Sequence, residues 1–541
     1  MEMNMKSYIK SIFAASIVAL TVGSCTDLDV DIKSQLTEYP NSEIALEAKM
    51  ADVYFSLRAD WGRRYHEVMS FSSDEFTGVC FGADDYLDNY NYANPSLHRS
   101  SPDDACVGHW TNAASGITKC NDIIMELGGE DAEAAAPALA MRAFYHFILM
   151  DSYGDVPLLD HKPDVDEVVE RAPRADVARF IESDLLKAIP NLSEANDAST
   201  YGKPNRWMAE ALLVKLYINW AVYTCGDITK YTPSITNEKL NDCIAHCDNI
   251  INSGIFNLDD GYRVKFMPEN GVHIKDFIYA MPYDAVTAQG MTYGRFETWR
   301  KANSSKDACY YGEILTKSFG GIFAITPEMA DLFCLEGDER NEVIIGGEIK
   351  MFDPVTREKT ETPWLYNGEP VVLSKEIELV SPSIELMVSK DVHGWSQGYR
   401  SVKWWISAAD YNNHNRNQSN DVPIFRYADV LLTKAEAILR GGSATNGDTA
   451  ASLMNQVRAC AGAPSVSGTP TLQDLLDERG RELFSENWRR NDLIRYGNFE
   501  DDWGWKNIIN PDAKTNYNAR LLPVPTGIMT ENTNWKQNPG Y

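Results

Sequence analysis

Apolar positions recur at helical spacing through most of this chain. Trp207, Ala211, Val214 and Ile218 fall at i, i+4, i+7 and i+11 and line one stripe of a helix, and Tyr427, Leu431, Ala435 and Ile438, at i, i+4, i+8 and i+11, line another. Thr326-Pro327 and Thr469-Pro470 each pair an N-cap residue with a first-turn proline. They open helices carrying Met329, Leu332 and Phe333, and Leu472, Leu475 and Leu476. Further helices are predicted near 43–59, 105–127, 135–151, 173–189 and 237–252. Several come as consecutive pairs, the pattern of helical repeats with a period of about 34 residues. From about 255 to 424 that periodicity breaks, and short β-type runs appear at Asp276 to Ala280, Glu348 to Phe352 and Pro370 to Leu373. The predicted fold is mainly α: a TPR-like helical-repeat scaffold (about 41–254 and 425–497) with an irregular, loop-rich insertion containing short strands (about 255–424). An extended tail, 498–541, follows. Loops held on a rigid scaffold are where function concentrates.

The first apolar run is of another kind. Ile12 to Leu20 follows Lys6 and Lys10 and precedes Val22-Gly23-Ser24-Cys25. A positive start, an apolar run too short to span a bilayer, and small residues before a cysteine describe a lipoprotein signal. Residues 1–24 are therefore expected to be a signal peptide and Cys25 the lipidated residue. Residues 25–40, with Asp27, Asp29 and Asp31, form the expected tether into a single 41–541 domain. The best later candidate for a span, Trp207 to Cys225, is interrupted by Glu210, Lys215 and Asn219, which leaves the lipid as the expected membrane contact.

A net charge of -28 repels phosphate backbones, so nucleic acid is not an expected partner. Of ten cysteines, Cys25 is assigned to lipid, and the odd remainder does not describe a disulfide framework. Cys243, His246 and Cys247 share a helical face, but a tetrahedral zinc site needs a second ligand pair that no nearby cluster supplies. They read as helix-face residues, and no metal or cofactor is expected. No HExxH, GxSxG, Walker or dinucleotide motif is present. The nearest glycosidase-like carboxylate pair, Asp74-Glu75, is better explained as a helix first turn, so the chain is not expected to be an enzyme.

Specific motifs then accumulate in order along the chain: RAFYHFILMDSYGDVPLL from Arg142, GKPNRWMAEALLVKLYINWA from Gly202 and ITPEMADLFCLEGDER from Ile325. PIFRYADVLLTKAEAILRGG from Pro423, ERGRELFSENWRRNDLIRYG from Glu478, LLPVPTGIM from Leu521 and the terminal QNPGY complete the set. Together they resemble the RagB/SusD family of outer-membrane lipoproteins from the lipobox to the last residue. Arg479, Arg481, Glu482, Glu486, Arg489, Arg490 and Asp492 crowd one helix and its exit, which reads as a scaffold ion-pair network.

The resemblance implies a surface-facing, lipid-anchored lid that binds glycan and delivers it to a SusC-like TonB-dependent transporter. Peptide capture, or a purely structural partnership with the transporter, are the alternatives the resemblance leaves. Sugar binding needs flat apolar faces for C–H surfaces and a few hydrogen-bonding groups for hydroxyls. The family's site often lies in loops after the first long helix and in the insertion. The first region offers Trp61, Arg63, Arg64, Asp74, Tyr86, Asn89, Tyr90 and Tyr92. Its loop carries tyrosines where the starch-binding member has tryptophans. The second region adds Tyr283, Gln289, Tyr293, Arg295 and Trp299, and a third group holds Trp395 and Tyr399. The expected ligand-binding set is Trp61, Arg64, Asp74, Tyr86, Asn89, Tyr90, Tyr92, Tyr293, Trp299 and Trp395.

Overall fold

The predicted helical scaffold is present in a computed structural model of the chain, which describes residues 43–81, 92–164, 166–304, 307–383 and 385–541. Residues 50–541 cluster as one unit. After the Glu43–Tyr54 helix, the scaffold runs through Trp110–Glu126, Ala136–Tyr153, Arg174–Ala188, Arg206–Ile218 and Leu240–Asn252. It resumes at Tyr427–Leu439, Ala450–Cys460, Leu472–Glu482 and Arg489–Tyr496, and consecutive helices pack side by side in TPR-like fashion. The mainly α prediction holds. Among the described residues no helix is long and apolar enough to cross a membrane, and the described cysteines are free thiols.

Two local expectations are corrected. The Leu472–Glu482 helix is capped by Thr471, not by Thr469-Pro470: the Thr471 hydroxyl accepts from the Asp474 amide while the Asp474 carboxylate accepts from the Thr471 amide. This capping box satisfies donors at both positions, which the proline one residue earlier does not do. The stripe on Arg206–Ile218 also understates its burial, because every residue from Trp207 to Ile218 is interior. Its two charges are partnered there: Lys215 Nζ lies 2.6 Å from Asp429, and Glu210 meets His246 Nδ1 at 2.5 Å. A charge is tolerated in the interior when paired. Cys243 and Cys247 are buried on the neighbouring helix, with His246 turned to Glu210.

The insertion leaves the scaffold and returns to it at one place, where strands Phe277–Met281 and Val422–Arg426 pair antiparallel. Further short antiparallel ladders join Phe76–Gly78 to Phe323–Ile325, Ile344–Ile345 to Arg400–Ser401, and Lys350–Phe352 to Lys359–Pro363. Though loop-rich, the insertion has a core of its own, in which Trp299, Trp364, Trp405, Tyr310 and Tyr311 pack with Ile345, Ile349 and Val402.

The charged motif residues bind the two parts together. Arg426, fully buried, donates to Asp276 (2.6 Å), Glu482 (2.7 Å) and both oxygens of Glu486 (2.7 and 2.9 Å). Lys403 of the insertion reaches Glu486 at 2.6 Å, and Arg340 reaches Asp338, Glu478 and Glu482. Arg479 joins Asp429 to Asp492, and Arg495 joins Asp492 to Glu436. Burial alone would raise Asp276, but Lys265 and Arg426 outweigh it and hold the carboxyl at about 2.

The tail closes over the end of the Ala136–Tyr153 helix. Gly154 there has φ +78°, and a Cβ would lie 2.7 Å from Leu521 Cδ1, so the glycine serves both turn and contact. Leu522 N donates to Ser152 O at 2.8 Å, and Asn538 Nδ2 donates to the Tyr153 and Leu522 carbonyls. The YGDVPLL, LLPVP and QNPGY motifs thus meet at one junction, and the tail is built of 3₁₀ turns and a short Thr526–Glu531 helix.

Candidate ligand-binding site

The sequence-predicted residues separate into three fates. Cys25, Tyr86, Asn89 and Tyr90 lie outside the described residues. Trp61, Tyr293 and Trp299 are interior, which corrects the expectation that they face a ligand. Trp61 stacks on Tyr65 at 4.6 Å, its carbonyl accepts from the Tyr293 hydroxyl, and Tyr293 stacks on His66 at 3.7 Å. Trp299 packs against Trp364, Tyr366 and Trp395. Large aromatic rings bury extensive area, and here that favours the core. Asp74 is corrected too: Arg489 takes both its oxygens at 2.7 Å, and its carbonyl accepts from Thr326, so it fastens three segments. The adjacent Glu75 is fully buried. Burial, with Asp74 adding, raises its carboxyl to about 8 although it accepts from the Ser485 amide at 2.7 Å.

What remains is a frame formed by the described residues on either side of 82–91 in the chain. Phe81 and Tyr92 are the described residues that flank this segment, and both are packed inward. The Arg300 guanidinium lies 4.5 Å over the Phe81 ring and donates to Gly320 O at 2.9 Å. On the other flank Arg63 donates to the Tyr92 hydroxyl at 3.3 Å and lies 4.8 Å over Phe296. Buried Glu67 accepts from Arg63 (3.1 Å) and Arg64 (2.8 Å), so both half-buried guanidiniums are held at fixed positions. Burial pushes the Tyr92 hydroxyl up to about 12, keeping it a neutral donor and acceptor. Tyr92 is thus a wall of this frame and not an exposed ring.

The third group fares best. Trp395 is half-buried, with Trp299 at 5.8 Å and Tyr366 at 6.1 Å behind and beside it, and Lys301 Nζ lies 5.5 Å over its ring. Its indole N–H has no partner among the described residues. Tyr366 and Tyr399 are also half-buried. Sequence reasoning missed Tyr366 and Lys301, which stand apart from Trp395 in the chain. A signal existed in the alternation of Trp364 with Tyr366, which puts one ring in the core and the next at its edge. Partly exposed aromatic faces backed by a rigid core, with the Lys301 ammonium over one of them, provide apolar faces and a donor together.

Comparison with known proteins agrees with this architecture. Residues 388–541 match a family model described as "SusD family", and residues 27–218 match one described as "Starch-binding associating with outer membrane". This chain belongs to the SusD/RagB family. It is 25% identical over 422 residues to the starch-binding protein SusD of Bacteroides thetaiotaomicron, covering 74% of this chain and 71% of that one. It is 24% identical to SusD-like protein P2 of Formosa agariphila, covering 97% and 98%. Among solved structures, a SusD superfamily protein from Parabacteroides distasonis superposes with TM-score 0.68 at 20% identity, covering 93% of this chain and 100% of that one. A surface glycan-binding protein A from Bacteroides thetaiotaomicron, in complex with laminarihexaose, gives 0.62 at 19%, covering 92% and 99%.

Proposed function

We propose that this family member captures oligo- or polysaccharide at the outer face of the outer membrane, non-catalytically, and passes it to a SusC-like TonB-dependent transporter. The observation that carries the reading is the half-exposed Trp395–Tyr366 edge of the insertion core, backed by Trp299 and flanked by Lys301. Rings stack on sugar C–H faces, while Arg64 and Lys301 direct hydrogen bonds to hydroxyls. Tyr86, Asn89 and Tyr90, which lie outside the described residues, are further contacts in this reading. Relatives whose names state starch, laminarin or surface-glycan binding support the cargo class. Lipid on Cys25 would tether the chain beside the transporter and raise its effective concentration there.

The test is a glycan array with the soluble form lacking residues 1–25, followed by titration of the strongest ligand. Trp395→Ala and Tyr90→Ala are each expected to weaken binding about tenfold with the melting temperature retained. Silence across the array overturns the glycan reading, and binding to an oligopeptide mixture in its place makes peptide the cargo. Delivery is checked by deletion of the gene, which should abolish uptake of the same glycan.

A further inference from the structure

A cavity of about 700 Å³ lies between the scaffold and the C-terminal tail, built from 229–233, Gly497, 500–502, Asn507, Lys514, Tyr517 and Arg520. It shares no residue with the frame that flanks 82–91 in the chain. Asn507, on the short Lys506–Ile509 turn, lines it and is only 6% exposed. Its amide Oδ1 and Nδ2 both lack a hydrogen-bond partner among the described residues. Burying such a group unpaired is unfavourable, and rotation of the enclosed amide toward the cavity lets a ligand that supplies both an acceptor and a donor pair with it.

The wall of the cavity is an aromatic platform. Tyr517 is 39% exposed, and the Arg520 guanidinium lies 4.8 Å from its ring centre. Arg520 is itself immobilised: Glu500 accepts from Nε at 2.7 Å and Nη2 at 2.8 Å, and the carbonyls of Ile228 and Tyr231 accept from Nη1. The ring is therefore held from behind by a buried, fully engaged cation. Exposed Asp501, Asp502 and Lys514 stand at the rim.

These groups select a ligand class. Lys230, Lys514 and Arg520 are balanced by Glu500, Asp501 and Asp502, with Lys514 3.6 Å from Asp502, so the lining has no net positive charge to select a phosphate, and an apolar ligand leaves the Asn507 amide unpaired. Glu500 is committed to Arg520, and no cluster of three or more acidic, His or Cys residues is placed to hold a metal ion among the described residues. A sugar answers all of the features: its C–H face suits the Tyr517 ring, and neighbouring hydroxyls suit an amide that donates and accepts. We propose that this cavity is a second saccharide-binding site, separate from the 82–91 frame, with Tyr517 as platform and Asn507 as the hydroxyl-reading group. Its ligand class is argued from its own side chains and does not depend on what the first site binds.

Hydroxyl-radical footprinting of the full chain in detergent tests this, with maltohexaose, laminarihexaose, mannohexaose and xylohexaose as probes. Tyr517 should be protected by at least one probe, and equally protected in a Trp395→Ala, Tyr90→Ala double variant. Asn507→Ala and the surface variant Tyr517→Ala should each weaken binding at this cavity about tenfold, the first read from Tyr517 protection and the second from protection of 229–233. Tyr517 labelling unchanged by every probe overturns the second site. So does protection that disappears in the Trp395→Ala, Tyr90→Ala variant, since that describes one site alone. Protection of Tyr517 with none around Trp395 supports the second site while overturning the first.

Discussion

The helical scaffold and the insertion solve the same burial problem with different side chains. Trp207 to Ile218 is buried all round, and its charged side chains are partnered within the fold by Asp429 and His246. The insertion has only short ladders to order its backbone and relies on a packed set of tryptophans and tyrosines. A helix enclosed on every side presents nothing to a ligand. An aromatic core assembled from loops has an edge, and at that edge Trp395, Tyr366 and Tyr399 remain half-exposed. The proposed Trp395–Tyr366 edge therefore belongs to the insertion, which the scaffold holds through the buried charges of the C-terminal motifs.

The largest expected effect comes from breaking the link between the two regions. Arg426→Ala leaves Asp276, Glu482 and Glu486 in the interior without their shared cation, and should cost about 3–5 kcal/mol in urea unfolding. Stability unchanged by this variant would show that the network does not hold the insertion. Next, Trp299→Ala opens a cavity behind the binding edge. Stability should fall by about 3–4 kcal/mol, and glycan affinity with it, in contrast to Trp395→Ala, which should affect affinity alone. Equal loss of stability from both would erase the distinction between core and edge.

A further effect is a pH dependence located in the scaffold-facing contacts. Glu75 titrates near 8 in the folded chain because it is buried beside Asp74, against an ordinary value of 4.5. Its contribution is complete below 4.5, where folded and unfolded chains are both protonated, and is lost as pH rises through 8 because the unfolded chain ionises first. Glu75→Gln should flatten unfolding free energy across that window. Asp276 acts with the opposite sign: burial disfavours its charge, but Lys265 and Arg426 win, so its contribution is present above 3.8 and lost as pH falls toward 2. Urea titrations of both forms across pH measure the difference.

Helical periodicity, the Thr326 cap and the ordered motif set made the mainly α scaffold and the family legible in the chain itself. Helix formation is local, and the spacing of Trp207, Ala211, Val214 and Ile218 carries it whatever the surroundings. The Thr471 cap was missed because a capping box depends on which hydroxyl meets Asp474, one residue from a plausible proline. The site was legible only as regions. Composition marked tyrosine, tryptophan and arginine near 61–92, 281–299 and 395–399, but it does not distinguish a ring in the core from a ring at its edge.

That distinction is a property of packing. Trp61, Trp299 and Trp395 look alike in sequence, yet Tyr65 and Tyr293 enclose the first, Trp364 and Tyr366 enclose the second, and only the third keeps part of its ring outside. Likewise Asp74 became a clamp because Arg489, 415 positions later, arrives beside it. Local spacing determined the helices and the motifs determined the family, since both are written in neighbouring residues. Which aromatic faces water and which carboxylate is already engaged were decided by contacts between segments far apart in the chain.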